Sequence, residues 1–253
     1  MSITGQSGRG LIHLFDDFGG PEIPIATTVA YGTTAGGCAY FTRDFKVTGS
    51  LHDTDSGLVS LSKASGYARL LSSATADGDG VAVGTEVVFS PVLNGTMVLE
   101  ARVEMAALTA RNVFVGFCTA NADEVLEPLT ATTTTITKVV PSVGFLFDSQ
   151  LTDSEAWHMP YLLAGDTTQT STDVDSTQDA VAAESDLLRL EVDNDGSARW
   201  YINGKLEQTV GAGLAATTTT LLAGLAGVWS TTTTVGSLDI DYLLINANRD
   251  WTR

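Results

Sequence analysis

Between Met97 and Met105 the chain alternates without interruption. Met97, Leu99, Ala101, Val103 and Met105 share one parity; Val98, Glu100, Arg102 and Glu104 share the other. A period of two marks a strand with one face buried and one face wet, whereas a helix would repeat every 3.6 residues. Glu, Arg, Met and Ala favour helices, but the unbroken alternation decides for a strand. Related segments recur at Leu11–Phe18, Gly57–Ser62, Tyr67–Leu71, Glu86–Phe89, Val113–Cys118, Val143–Phe147, Leu187–Asp193, Ala198–Ile202 and Leu238–Ile245. Turn residues separate most of them, at Asp77-Gly78-Asp79-Gly80, Asn94-Gly95, Asn194-Asp195-Gly196 and Asn203-Gly204. Such a series predicts an all-β antiparallel sandwich or barrel with few or no helices. No amphipathic helix of useful length is written in the chain. Asp123–Leu129 offers one helical turn at most, because Pro128 interferes. Parallel α/β architectures are thereby excluded.

The 253 residues suit one large sandwich, which at this size buries roughly 70–75% of the surface of the unfolded chain without a metal or disulfide staple. No stretch is rich enough in Pro or Gly to divide it, so residues 11–253 are expected to form one domain. Residues 1–10 are read as a flexible arm carrying Arg9, ordered only on docking. Residues 166–185 hold Asp166, Asp173, Asp175, Asp179 and Glu184 with no Lys or Arg, and are expected to form a long acidic loop. The first ten residues lack a basic segment followed by an apolar one, so no secretion signal is expected. The longest apolar run, Leu221–Trp229, is too short to span a membrane. Three threonine quartets, Thr132–Thr135, Thr217–Thr220 and Thr231–Thr234, read as solvent-facing strand ends and linkers, or as the polar rim of a protein contact.

Thirteen Lys and Arg against thirty Asp and Glu leave a net charge of −17. That balance argues against nucleic acid and against an anionic membrane as partners. Cys38 and Cys118 lie in apolar or small-residue stretches and read as buried hydrophobes. None of His13, His52 and His158 stands at metal-ligand spacing, and His13 reads as a satisfied structural residue. No Gly-x-Ser-x-Gly elbow and no phosphate-binding glycine loop is present. Asp77-Gly78-Asp79-Gly80 fails as an EF-hand because the twelfth position is Val88. No cofactor is therefore expected, with Ca²⁺ held by several loops as the one ion such an acidic chain would accommodate. Glu191-x-Asp193-x-Asp195 resembles the Glu-x-Asp-x-Glu signature of laminarinase-like sandwich hydrolases, but its last member is an Asp inside a turn sequence. A non-enzyme is expected. Among aromatics able to stack on a sugar or contact a partner, Trp157, Tyr161, Trp200, Trp229 and Trp251, strand parity assigns Trp200 to the core. Trp157, at the head of an apolar stretch before the acidic segment, is the best choice for a rim position.

Leu187 to Leu206 resembles the hairpin pair of concanavalin A-like (laminin-G-like) jelly rolls: an alternating strand, an Asp-Gly turn, then Tyr201-Ile202-Asn203-Gly204-Lys205-Leu206. Leu14-Phe15-Asp16-Asp17-Phe18 resembles the first strand of such modules. Leu238–Ile245, followed by Arg249-Asp250-Trp251, resembles the last. The resemblance implies neighbouring terminal strands, with Phe15 close to Tyr242. The Ala-, Thr- and Gly-rich, acidic character is similar to that of tailed-bacteriophage virion proteins, head decoration proteins among them.

That likeness implies a structural protein, made in the host cytoplasm and carried on the capsid exterior. It would bind the major capsid protein and itself, as an oligomer such as a trimer, and stabilise the head. The alternative is a lectin-like domain of a tail fibre or receptor-binding protein, with a glycan as partner. Arg9, Trp157, Asp173 and Asp175 are the candidate contact residues.

Overall fold

The computed structural model describes residues 10–19, 40–41, 43–49, 57–61, 63–72, 78–121 and 127–249. Arg9, Cys38, His52, Asp77, Asp250 and Trp251 lie outside the described residues, as do 123–126 of the expected helical turn.

Among the described residues, twenty strands form two large sheets and one small one. Sheet A contains β1 (Leu11–Asp16), β4 (Gly57–Ser60), β5 (Ala68–Leu71), β7 (Met97–Glu104), β16 (Ser185–Val192), β17 (Ala198–Ile202), β18 (Lys205–Val210) and β20 (Ser237–Asn248). Its order is β18-β17-β16-β7-β20-β5-β4, with β1 on the far half of β20. Sheet B contains β2 (Tyr40–Phe41), β3 (Lys46–Gly49), β6 (Gly80–Gly84), β8 (Arg111–Cys118), β11 (Ser142–Asp148), β12 (Ala156–His158), β13 (Tyr161–Leu162), β15 (Asp175–Asp179) and β19 (Ala223–Ser230). Its order is β15-β12-β11-β8-β19-β6-β3-β2, with β13 also on β11. The small sheet is β14-β10-β9, from β9 (Leu129–Thr132), β10 (Thr135–Lys138) and β14 (Thr168–Thr170). A single helical turn, α1 (Pro91–Asn94), is the one α-helical element among the described residues. The antiparallel sandwich expected from the alternation is the observed architecture.

The alternation of β7 sends Met97, Leu99, Ala101 and Val103 into the space between the sheets. There they meet Val115, Phe117, Phe145, Phe147 and Val228 of sheet B. Each of these Val, Leu, Met and Phe side chains, fully buried, stabilises the fold by about 1.5–3 kcal/mol. Trp200 is fully buried in this core, and its indole N–H crosses to sheet B, donating to the Gly144 carbonyl at 2.8 Å. The terminal strands pair with Phe15 opposite Leu244, and the Phe15 and Tyr242 rings lie 6.0 Å apart, as the resemblance implied. Asn203 and Gly204 both have positive φ (52° and 80°), the signature of the type I′ turn between β17 and β18.

Sheet B departs from the simple rule. β8, β11 and β19 are buried on both faces. Their outward side chains, Phe114, Leu146, Leu225 and Trp229, form a second apolar layer with Leu129, Ala131 and Ile136 of the small sheet, plus Leu151 and Val174. The small sheet is thus a roof. This explains why these strands read as nearly continuous apolar or small-residue runs instead of alternating ones. Under the roof Gly116 pairs with Gly144, and a Cβ on Gly116 would sit 2.5 Å from the Gly144 Cα.

Several sequence expectations need correction. Glu86–Phe89 is no strand; only Phe89 bridges, to Leu222. The segment 166–185 is not a loop: it supplies β14 to the roof, a 3₁₀ turn at Ser171–Asp173, and β15 as the edge of sheet B. Ser, Thr and Gln at an exposed sheet edge meet water on one side, so polar composition does not preclude a strand there.

Candidate functional site

The outer face of sheet A is a ladder of opposite charges. Arg189 bonds Glu100 and Glu191, Arg199 bonds Glu191 and Asp193, Arg102 bonds Asp241, and Arg69 bonds Asp239. The hydrolase-like carboxylates lie here. Burial pushes the Asp193 carboxyl up, but bonds from Arg199 and Thr96 outweigh it and hold it below its ordinary value. Asp195, at the hairpin tip, is likewise lowered by the Ser197 hydroxyl and amide. A general acid for glycoside cleavage needs the opposite displacement.

A different group of side chains converges at the β12–β15 edge of sheet B. Asp153, His158 and Asp175 each place one ligand-type atom within 4.8 Å of the others. The local fold explains the meeting. Leu151 bridges to Thr133, and the Thr152 amide donates to the Thr133 carbonyl at 2.7 Å, so the turn carrying Asp153 is tied to the roof. The Ala156 amide closes that turn on the Asp153 carbonyl at 3.0 Å. In β12, Trp157 and His158 point to opposite faces. His158 pairs with Leu146 on one side and with Asp175 on the other, so the three share the outward face. Asp175 and Asp153 remain accessible; His158 is 0% exposed.

The hydrogen bonding of this group is incomplete. The Nε2 atom of His158 lies 3.1 Å from Oδ2 of Asp153. That contact lacks hydrogen-bond geometry, and among the described residues neither ring nitrogen nor Oδ1 of Asp153 has a hydrogen-bond partner. Described lysines and arginines pair with Glu86, Glu100, Glu104, Glu191, Glu207, Asp193, Asp239 and Asp241, and none with Asp153 or Asp175. Burial raises the Asp175 carboxyl above its ordinary value; His158 opposes this, while Asp153 and Asp179 reinforce it.

The sequence-selected residues divide. Asp175 belongs to the cluster, and Asp173 sits exposed nearby in chain, in the 3₁₀ turn before β15. Trp157 is not a rim aromatic. It is 0% exposed, packs edge-on against Phe147 and donates to Asp186 at 2.9 Å, because its parity in β12 faces the core. Trp229 is buried beneath the roof. His13, read as structural, does find a partner, with Nδ1 2.6 Å from Asn246 Oδ1. Asp153 and His158 were not selected, since a five-residue spacing of one Asp and one His is unremarkable until β15 is folded beside them.

The roof itself presents a second surface. Thr132, Thr135 and Thr170 lie in one cross-strand row, and Thr130, Thr137 and Thr168 in the next, an uncharged hydroxyl-and-methyl grid turned mostly to solvent. The first threonine quartet is therefore a hairpin of the roof. The other two sit in connections, at 217–220 before β19 and 231–234 between β19 and β20.

No protein-family model matches the chain, and no curated protein is similar to it in sequence. Solved structures are similar in fold. A protein of unknown function from Shewanella oneidensis MR-1 aligns with a TM-score of 0.56 at 13% identity, covering 100% of this chain and 97% of that one. Peanut lectin aligns with a TM-score of 0.53 at 11% identity, covering 94% and 97%. A carbohydrate esterase from the Shiga toxin-encoding bacteriophage phi24B aligns at 0.50 and 13% identity, covering 81% and 90%. The sandwich is thus a concanavalin A-like jelly roll, and at these identities the likeness is one of fold.

Proposed function

We propose that the protein is a glycan-binding, lectin-like module whose binding surface is the acidic edge of sheet B around Asp153, Asp173 and Asp175. One observation carries the reading: two carboxylates and an imidazole converge at an accessible sheet edge where no described lysine or arginine pairs with them. Carboxylate oxygens accept from the hydroxyls of a sugar in strong, directional bonds. The likeness in fold to peanut lectin supports the reading. A glycan array probed with the intact protein, followed by calorimetry, tests it. Binding to a defined glycan class is expected, weakened at least about tenfold by Asp173→Asn with Asp175→Asn. No glycan retained at millimolar concentration, or unchanged affinity in the double variant, refutes it.

A second reading is a decoration protein on the capsid exterior, contacting the major capsid protein. It is favoured by the roof, which puts a threonine grid over the outward face of sheet B instead of an open groove. Co-sedimentation with virus heads lacking the protein tests this directly. A saturable number of copies per capsid subunit supports decoration, and absence of binding removes it.

A further inference from the structure

We infer that Lys46 and Asn121 become joined by an intramolecular amide bond, formed after folding between Lys46 Nζ and the side-chain Cγ of Asn121, with Glu86 as the base. This goes beyond the glycan reading and does not depend on it. An amine, a carboxylate and a carboxamide meet on the outer face of sheet B. Phe45 and Val47 face the main core, so Lys46 and Thr48 share the opposite face of β3. Both are nevertheless buried, as is Asn121, which follows β8. A lysine is seldom buried without a partner. Here Nζ donates to Glu86 Oε1 at 2.8 Å and to the main-chain carbonyl of Asn121 at 2.6 Å. The register sets Lys46 opposite Gly84, so the exposed Glu86, just beyond β6, reaches Nζ from the solvent side.

The carboxamide is held in one orientation. Its Oδ1 accepts from the Thr48 hydroxyl at 2.9 Å, and its Nδ2 donates to the Thr85 carbonyl at 2.8 Å. Thr85 is itself fixed: its amide donates to the Gly224 carbonyl at 2.9 Å, and its hydroxyl accepts from the Gly224 amide at 3.1 Å. A donor on Oδ1 draws charge from Cγ and stabilises that oxygen as it becomes negative in a tetrahedral intermediate. Nζ already rests on the residue it would attack, and rotation about the lysine stem carries it from the main-chain oxygen to Cγ. The step balances without an oxidant or cofactor. Glu86 takes a proton from the Lys46 ammonium, and the amine lone pair forms the bond to Cγ. Glu86 returns that proton to Nδ2, the Cγ–Nδ2 bond breaks, and ammonia leaves. The new amide nitrogen sheds its extra proton through Glu86 to the ammonia. The sum is ammonium plus carboxamide giving amide plus ammonium. The product ties β3 to the segment after β8, across β6 and β19, which separate those strands in the sheet.

The test is mass spectrometry of the full chain, purified folded and then denatured. The wild-type mass is expected to fall one ammonia below that of the sequence. Digestion should release a branched peptide carrying both Lys46 and Asn121, which separates this bond from ammonia loss at any other asparagine. Lys46→Arg keeps the cation beside Glu86 but has no primary amine, and Asn121→Ala removes the electrophile. Both should show the full mass and no branched peptide. Glu86→Gln should slow coupling at least about a hundredfold, so that the freshly made variant is uncoupled. The cross-link closes a loop between residues 75 apart, and wild type should unfold about 10 °C above Lys46→Arg. A wild-type mass equal to that of the sequence, with no branched peptide, overturns the inference. So does a branched peptide that persists in Lys46→Arg. Coupling at an undiminished rate in Glu86→Gln overturns the role given to Glu86.

Discussion

The sandwich is clasped at one open edge by a single carboxylate, Glu207, and its replacement by glutamine gives the sharpest test of the architecture. Glu207 lies on β18, the edge of sheet A, and reaches β15, the edge of sheet B. It accepts from the Thr177 amide at 3.0 Å, the Thr177 hydroxyl at 2.7 Å and the Gln178 side-chain amide at 2.9 Å, with Lys205 Nζ 2.8 Å away. The carboxyl side chain is 1% exposed. Burial alone would raise it, but the bonds from Lys205, Thr177 and Gln178 prevail and hold it at about 2, against an ordinary 4.5. In full, that displacement corresponds to about 3 kcal/mol of preference for the folded, ionised state. The clasp stands at the rim, where water screens the Lys205 pair, so about 1–2 kcal/mol is the expected cost of Glu207→Gln. For a domain of this size that lowers the Tm by about 3–6 °C at pH 7. The sign follows from a depressed folded-state value. The contribution is complete above about pH 4.5 and is lost as pH falls toward about 2, so the gap between wild type and variant should close in that window. Thermal unfolding of both proteins by circular dichroism at pH 7, 4 and 2.5 measures it, and amide exchange at Thr177 localises it. Equal Tm values at pH 7, or a gap that persists undiminished at pH 2.5, would show that the clasp does not hold the sheets together as argued.

Three other expectations follow from the packing. Gly116→Ala should cost more than about 3 kcal/mol and yield insoluble protein, since the added Cβ meets the Val143 carbonyl at 2.4 Å and the Gly144 Cα at 2.5 Å; a soluble variant with near wild-type Tm would refute the close approach. Cys118, whose thiol burial pushes up to about 12, should resist a thiol reagent in the native state and react only on unfolding, as a colorimetric assay with and without denaturant would show. Trp157→Phe should lower stability by about 1–3 kcal/mol through the lost bond to Asp186 and lost packing, yet leave glycan binding unchanged, and a loss of glycan affinity without loss of Tm would return Trp157 to the surface.

The sequence alone determined the strands of sheet A other than β18, because one face of that sheet is core and the other is water. β7, β16 and β17 repeat every second residue, the Asn203-Gly204 turn follows from its dipeptide, and the terminal strands were paired by their resemblance to known modules. Sheet B was legible in part: Val113–Cys118 and Val143–Phe147 read as strands and stand in β8 and β11. β19, buried on both faces, shows only as part of an apolar run, and the roof that covers these strands is built of threonine-rich segments resembling loops. Trp157 and His158 show the same divide: their parity is local, but which parity met the core was set by β11 alongside. The cluster was beyond sequence altogether. His158 and Asp175 are separated in the chain and joined by the antiparallel register of β12 with β15. Asp153 is delivered by a turn tied to the roof, and only tertiary structure could show that His158 is buried without a hydrogen-bond partner among the described residues. Local patterning encodes what one strand does with its two faces; a site assembled from three segments exists only after the sheet has chosen its neighbours.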